Sequence, residues 1–190
     1  MKILGINGSA RVGGNTEIVL SNILMAAEKL GAATEYIAID KLKIQGCKGC
    51  LWCQNKETGR CVQRDDMVEV YDKVASADIV VFASPVYFST MTGQLKTFID
   101  RLYPFYGRGG KPSRLPKQIQ AALIFTQGQP DDLLYSQSFA IAANSLRQIG
   151  FKVKEDVLVT PGIPNLGDVL KSEPLLNKAR LFGESLLQKL

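Results

Sequence analysis

Five short apolar runs alternate with helical patterns along this chain, and that alternation limits the fold more than any other feature of the sequence. The first unit sets the pattern. Residues 2–6, Lys-Ile-Leu-Gly-Ile, form a short apolar run with a β-branched bias. A loop of glycine, amide and hydroxyl residues follows over 7–16, and a helical pattern runs from Glu17 to Leu30 before stopping at Gly31. Residues 33–39 alternate enough for a half-exposed second strand. Over 66–75, Met67, Val70, Tyr71 and Val74 fall at i, i+3, i+4 and i+7, one face of a helix. Asp65 and Asp66 stand at its N-terminus, where the dipole favours acids. Residues 78–83 are almost continuously apolar, as in a parallel strand buried on both faces. A helix over 93–102 with Leu95, Phe98, Ile99 and Leu102 as its stripe comes next, then a second buried strand over 120–125. A helix over 131–149 ends at Gly150, and 153–159 alternates like an edge strand. Residues 161–171 read as a loop, with Ser172 a cap and Pro174 in the first turn of a closing helix to Leu190.

Strands alternating with helices imply an α/β doubly wound parallel sheet with right-handed crossovers and helices on both faces. The continuous runs mark strands one, three and four as central, and the alternating ones mark two and five as edges. That suits the order 2-1-3-4-5, a flavodoxin-like five-stranded sheet whose ligand sits past the C-terminal strand ends, at the switch between strands one and three. The expected organisation is a single domain over 1–190, with a cysteine-rich insertion at 41–64 and a C-terminal helix at 172–190.

Composition narrows the chemistry. With 46% hydrophobic and 22% charged residues, the chain reads as an ordinary globule. No apolar run is long enough for a signal core or a membrane span, so a cytoplasmic location and no membrane partner are expected. The net charge is +5, but the basic residues are scattered without an aromatic-interleaved stripe, so no nucleic acid is expected. The chain has no histidine. A Ser-His-Asp or Cys-His nucleophile therefore cannot be built, and no side chain is an obvious acid–base catalyst. Chemistry here must rest on a cofactor, a metal–thiolate centre, or carboxylates and lysines.

The fold rule brings three loops together. In the first, glycines including Gly14 let the backbone approach a phosphate, Ser9 and Thr16 add hydroxyls, Asn15 can cap the helix, and Arg11 can pair with a dianion. The spacing fits neither a P-loop nor a G-x-G-x-x-G fingerprint, and suits a small monophosphate. An ordinary strand-to-helix turn fits the same local sequence. The second loop carries Pro85, Val86, Tyr87 and Phe88, a stiff extended segment with flat aromatic faces for a planar heteroaromatic ring. The third supplies donors from Thr126, Gln127 and Gly128. Together they suit a phosphorylated aromatic ligand.

The connection over 41–64 is 24 residues where 2–6 is usual. It holds all four cysteines, as Cys47-x2-Cys50-x2-Cys53-x7-Cys61. Such a thiolate pattern accommodates a four-iron cluster, with Lys48, Lys56 and Arg60 to offset its charge. Zinc, a redox disulfide or unligated thiols also fit the spacing. Trp52 would shield a cluster or anchor the loop. The second long connection, 103–117, reads as a solvated loop, or as a flap or subunit contact near the ligand with cations for a nucleotide phosphate.

The phosphate loop, Gly8-Ser9-Ala10-Arg11-Val12-Gly13-Gly14-Asn15-Thr16, resembles that of the flavodoxin-like NAD(P)H-dependent FMN reductases, and so does Ser84-Pro85-Val86-Tyr87 with the helix to Arg101. The cysteine stretch before Asp65-Asp66-Met67 is similar to that of the iron–sulfur flavoprotein subgroup. The resemblance implies an FMN-dependent oxidoreductase. FMN would be held by Ser9, Arg11, Gly14, Asn15, Thr16, Pro85 to Phe88 and Thr126 to Gly128, and a 4Fe-4S cluster by Cys47, Cys50, Cys53 and Cys61. It also implies NAD(P)H as a possible donor, a ferredoxin-like protein or small molecule as acceptor, and a homodimer or homotetramer. The alternatives are a cluster-free NAD(P)H-dependent FMN or quinone reductase, and a non-enzymatic electron carrier.

Overall fold

The computed structural model describes residues 1–55, 60–155 and 157–188. Its centre is a parallel sheet of β1 (Lys2–Asn7), β2 (Ala33–Ala38), β3 (Ile79–Pro85), β4 (Gln120–Thr126) and β5 (Lys152–Val153), in the order β2-β1-β3-β4-β5. A further strand, β6 (Leu158–Thr160), pairs with β4. The central strands are buried on both faces, which is why they read as unbroken apolar runs.

Alternation along those strands sorts their side chains into two cores. Leu4, Ile6, Val80, Phe82, Leu123 and Phe125 face one layer, and Ile3, Ile79, Val81, Ala122 and Ile124 face the other. A single helical turn, α2 (Trp52–Asn55), stands within the cysteine insertion, and the first layer is covered by α3 (Met67–Ser76), α4 (Gly93–Arg101) and α5 (Ser136–Ile149). In α3 the buried residues are Met67, Val70, Tyr71 and Val74, the face read from the sequence. The second layer is covered by α1 (Asn15–Lys29) and α6 (Glu173–Ser185). Those two helices pack closely at Gly183, where a Cβ would stand 2.3 Å from the Ile23 carbonyl oxygen.

Several boundaries differ from the sequence reading. Helix α1 starts at Asn15 instead of Glu17, and the backbone of Gly14 occupies the N-cap, so Asn15 is not the cap. Helix α5 starts at Ser136, because 131–135 form turns in which the Asp131 carboxylate accepts the Leu133 N–H at 2.9 Å. Ser172 holds the N-cap position of α6 without a side-chain capping bond, and Leu190 lies outside the described residues. The expected edge strand is two strands. Val153 pairs with Ala121 and Leu158 with Ile124, so five steps on the edge oppose three on β4. No helix among the described residues is long and apolar enough to cross a membrane.

Candidate functional site

The C-terminal ends of β1, β3 and β4 open onto a cleft of about 230 Å³. It is lined by Ser9, Arg11, Asn15 and Thr16 from the first loop, Pro85, Val86 and Tyr87 from the second, and Thr126, Gln127 and Gly128 from the third. Of the residues named from the sequence, only Gly14 and Phe88 do not line it. Ile163 and Pro164 do, and sequence reasoning missed them: nothing periodic marks the loop they stand on.

Buried polar contacts shape the phosphate loop. Asn7, at the end of β1, donates its Nδ2–H to Tyr36 at 2.8 Å and accepts the Ser9 N–H at 3.0 Å. The Ser9 hydroxyl accepts the Arg11 N–H at 3.2 Å, and the Gly14 N–H closes the turn onto the Arg11 carbonyl at 3.1 Å. A Cβ on Gly14 would stand 2.9 Å from that carbonyl, so the turn demands a glycine there. Gly13 has a φ of 65° and gives its N–H to the Glu17 carboxylate. The first-turn N–H groups of α1 have no intrahelical partner, which makes the helix start an anion site. Arg11 is exposed and its guanidinium makes no ion pair among the described residues.

Two side chains of that loop hold the neighbouring loops. The Thr16 hydroxyl meets the Thr126 hydroxyl at 2.7 Å, both buried. The Asn15 amide donates to the carbonyls of Ile163 at 2.9 Å and Asn165 at 2.8 Å, and its oxygen accepts the Val169 N–H at 3.1 Å. Asn15 is thus the peg that draws the 163–169 segment against the cleft.

On the opposite wall, Val86 N–H donates to the Thr126 carbonyl at 2.8 Å, joining the second and third loops. Tyr87 and Thr90 pair across a two-residue turn whose central residues, Phe88 and Ser89, have φ of 44° and 68°. Glycine or asparagine usually fills such a turn, and bulky residues there are strained. Phe88 is wholly exposed at its tip. Gln127 is 3% exposed, and its Oε1 is buried without a partner among the described residues. That orphaned acceptor in the cleft wall suits a ring bearing an N–H, and the cradle at the other end suits a phosphate.

The cysteines gather around a second cavity of about 260 Å³, lined by Cys47, Cys50, Cys53, Cys61, Trp52 and Tyr103 among others. Cys47 and Cys50 are exposed and Cys53 is buried. Burial pushes the Cys53 thiol up, and the nearby Cys61, Cys47 and Cys50 push it the same way. Among the described residues, no three metal-ligating side chains are already drawn into the geometry that holds a metal ion. Thiolate sites commonly close around their metal as it binds. Of the cations offered to offset a cluster, Lys48 lines the cavity, Arg60 pairs with Asp72 at 2.8 Å, and Lys56 lies outside the described residues. The 103–117 segment lies against this insertion, and none of its residues lines the phosphate cleft. Arg114 donates to the Cys53 carbonyl at 2.6 Å, and Gln54 donates to the carbonyls of Tyr103 and Tyr106 at 2.7 and 3.0 Å.

Residues 1–126 match the NADPH-dependent FMN reductase family. The chain belongs to that family. It is 35% identical to an iron–sulfur flavoprotein of Archaeoglobus fulgidus over 97% of this chain and 81% of that protein. It is 39% identical to an iron–sulfur flavoprotein of Methanocaldococcus jannaschii over 55% of this chain and 53% of that one. Its fold is similar to a solved NAD(P)H:quinone oxidoreductase from Methanothermobacter marburgensis, with a TM-score of 0.74 at 18% identity over all of this chain and 97% of the other. The protein is an FMN-dependent oxidoreductase with a flavodoxin-like fold, and the cleft at the strand ends has the parts that FMN requires.

Proposed function

We propose that this flavoenzyme passes electrons between FMN in the strand-end cleft and a 4Fe-4S cluster held by Cys47, Cys50, Cys53 and Cys61. The observation that carries this reading is the gathering of all four cysteines around one cavity, on an insertion seated against α4 and the segment after it. The names of the relatives support it. When bound, FMN takes up a reduced donor's two electrons and releases them singly, and a cluster carries one at a time.

The chain's own residues bind and orient. Arg11, the Ser9 hydroxyl and the first-turn N–H groups of α1 receive the phosphate, while the 85–87 backbone, Thr126 to Gly128 and the Gln127 amide hold the ring. Ile163 and Pro164 close the apolar side and exclude water. NAD(P)H is the proposed donor and a ferredoxin-like protein or small molecule the acceptor, with two or four chains per assembly.

Anaerobic purification with counts of flavin, iron, sulfide and zinc per chain tests this. Flavin with about four irons and matching sulfide supports the cluster. Flavin without iron after reconstitution overturns it and leaves a cluster-free NAD(P)H-dependent FMN or quinone reductase.

A further inference from the structure

Arg101 is the largest fully buried side chain among the described residues, 1% exposed at the C-terminal end of α4. Removing a charge from water is costly, and the loss is offset only by close pairing and hydrogen bonds. Its Nη1 donates to the Gln45 carbonyl at 2.7 Å and to Asp65 at 2.5 Å, and its Nη2 donates to the other Asp65 oxygen at 2.9 Å. Asp65 in turn accepts the N–H groups of Gln45 at 3.0 Å and Met67 at 3.2 Å. Gln45 stands two residues before Cys47, and Asp65 four residues after Cys61. One guanidinium therefore ties both ends of the cysteine insertion together and onto α4.

A second arginine grips the middle of the insertion. Arg114 reaches the carbonyls of Cys53 and Gln54 at 2.6 and 3.3 Å. The far end of α4 belongs to the other site. The Thr92 hydroxyl donates to the Gly8 carbonyl at 2.7 Å and accepts the Leu95 N–H, and the Thr92 N–H donates to Ser84 at 3.0 Å. Gly8 and Ser84 open the phosphate and ring loops. Helix α4, about 14 Å long at 1.5 Å per residue, thus joins the loops of the cleft to the neck of the insertion. The Arg101 Nε is buried with no hydrogen-bond partner among the described residues.

We propose that Arg101 and Arg114 are the positioning residues of the thiolate site, seating the four cysteines on α4 and the segment after it at a fixed reach from the FMN cleft. The inference rests on the cluster reading for its consequence, but the seating itself belongs to the chain.

The test uses the full-length, FMN-loaded protein in two forms, iron-free and anaerobically reconstituted, for wild type, R101Q, R101K and R114Q. In the iron-free form, backbone exchange at Gln45 in R101Q, and at Gln54 and Asn55 in R114Q, should accelerate by roughly tenfold or more. Exchange in β1 and β3 and the affinity for FMN should stay within about twofold of wild type. R101K should recover part of the protection at Gln45. In the reconstituted form, the midpoint potential of the iron centre should move to more negative values in R101Q and R114Q, because a nearby cation that stabilises added electrons is gone, while that of FMN holds. Unchanged exchange at all three amides, or an unchanged iron potential in both variants, overturns the proposal. Should R101Q fail to fold, R101K and the half-buried R114Q decide by the same readouts. A wild type that takes up no iron defeats the cluster reading alone, and the exchange data still decide the seating.

Discussion

Arg11 and Asp65 show how differently two charged residues act in this molecule. Arg11 is solvent-exposed at the mouth of the phosphate loop, so its charge is free for a ligand dianion. Replacing it with alanine removes charge-assisted hydrogen bonds to phosphate and should weaken FMN binding by roughly ten- to a hundredfold, while riboflavin binding stays within about twofold. Fluorescence titration with both flavins checks this; equal losses for the two would place Arg11 away from the phosphate. Asp65 is committed to its own chain. Burial opposes its ionisation, but hydrogen bonds from Arg101 and the Gln45 N–H outweigh it and hold the carboxyl below the usual range. A carboxyl with a depressed folded value stabilises the fold above its unfolded pKa of about 3.9, and that contribution is lost as pH falls through the folded value. The melting temperature of wild type should therefore exceed that of Asp65→Asn at pH 7, with the gap closing below about pH 4. A gap independent of pH would mean that the carboxylate charge is not what matters.

At the scale of single elements, the turn at Phe88 and Ser89 is the least comfortable piece of backbone described. Two non-glycine residues with positive φ each carry strain of order 1–3 kcal/mol, and such strain gathers at functional sites. Replacing the pair by Asn-Gly should relieve it, raising the melting temperature by about 2–4 °C for each kcal/mol recovered. Turnover should fall, because the exposed Phe88 ring beside the cleft is lost. Calorimetry and a steady-state assay measure the two effects, and a variant no more stable than wild type would show that the turn is unstrained. Other elements were legible in advance. The α3 stripe of Met67, Val70, Tyr71 and Val74 is a periodic pattern, and burial follows period directly. The division of the edge into β5 and β6 was not legible, since Val153, Val157 and Val159 alternate on paper whether or not the partner strand keeps step.

Over the whole molecule, the two candidate centres are built from separate segments, and losing one should spare the other. Cys47→Ser at an exposed position should cut iron per chain sharply while leaving about one FMN per chain and an unchanged far-ultraviolet circular dichroism spectrum. Loss of FMN along with iron would show that the centres depend on each other for assembly.

By itself the sequence determined the strand order and ten of the residues that line the cleft, because both follow from local rules. Continuous apolar runs mark the central strands, right-handed crossovers order them, and a ligand sits where that order reverses. Only the tertiary structure decided three further things: that Ile163 and Pro164 complete the cleft, that Asn15 pegs their loop instead of capping α1, and that Arg101 is buried beneath the cysteine insertion. Each depends on contacts between residues far apart in the chain. In sequence Arg101 is one more charge in the last turn of a helix, and its burial is settled by Gln45 and Asp65, 56 and 36 residues away.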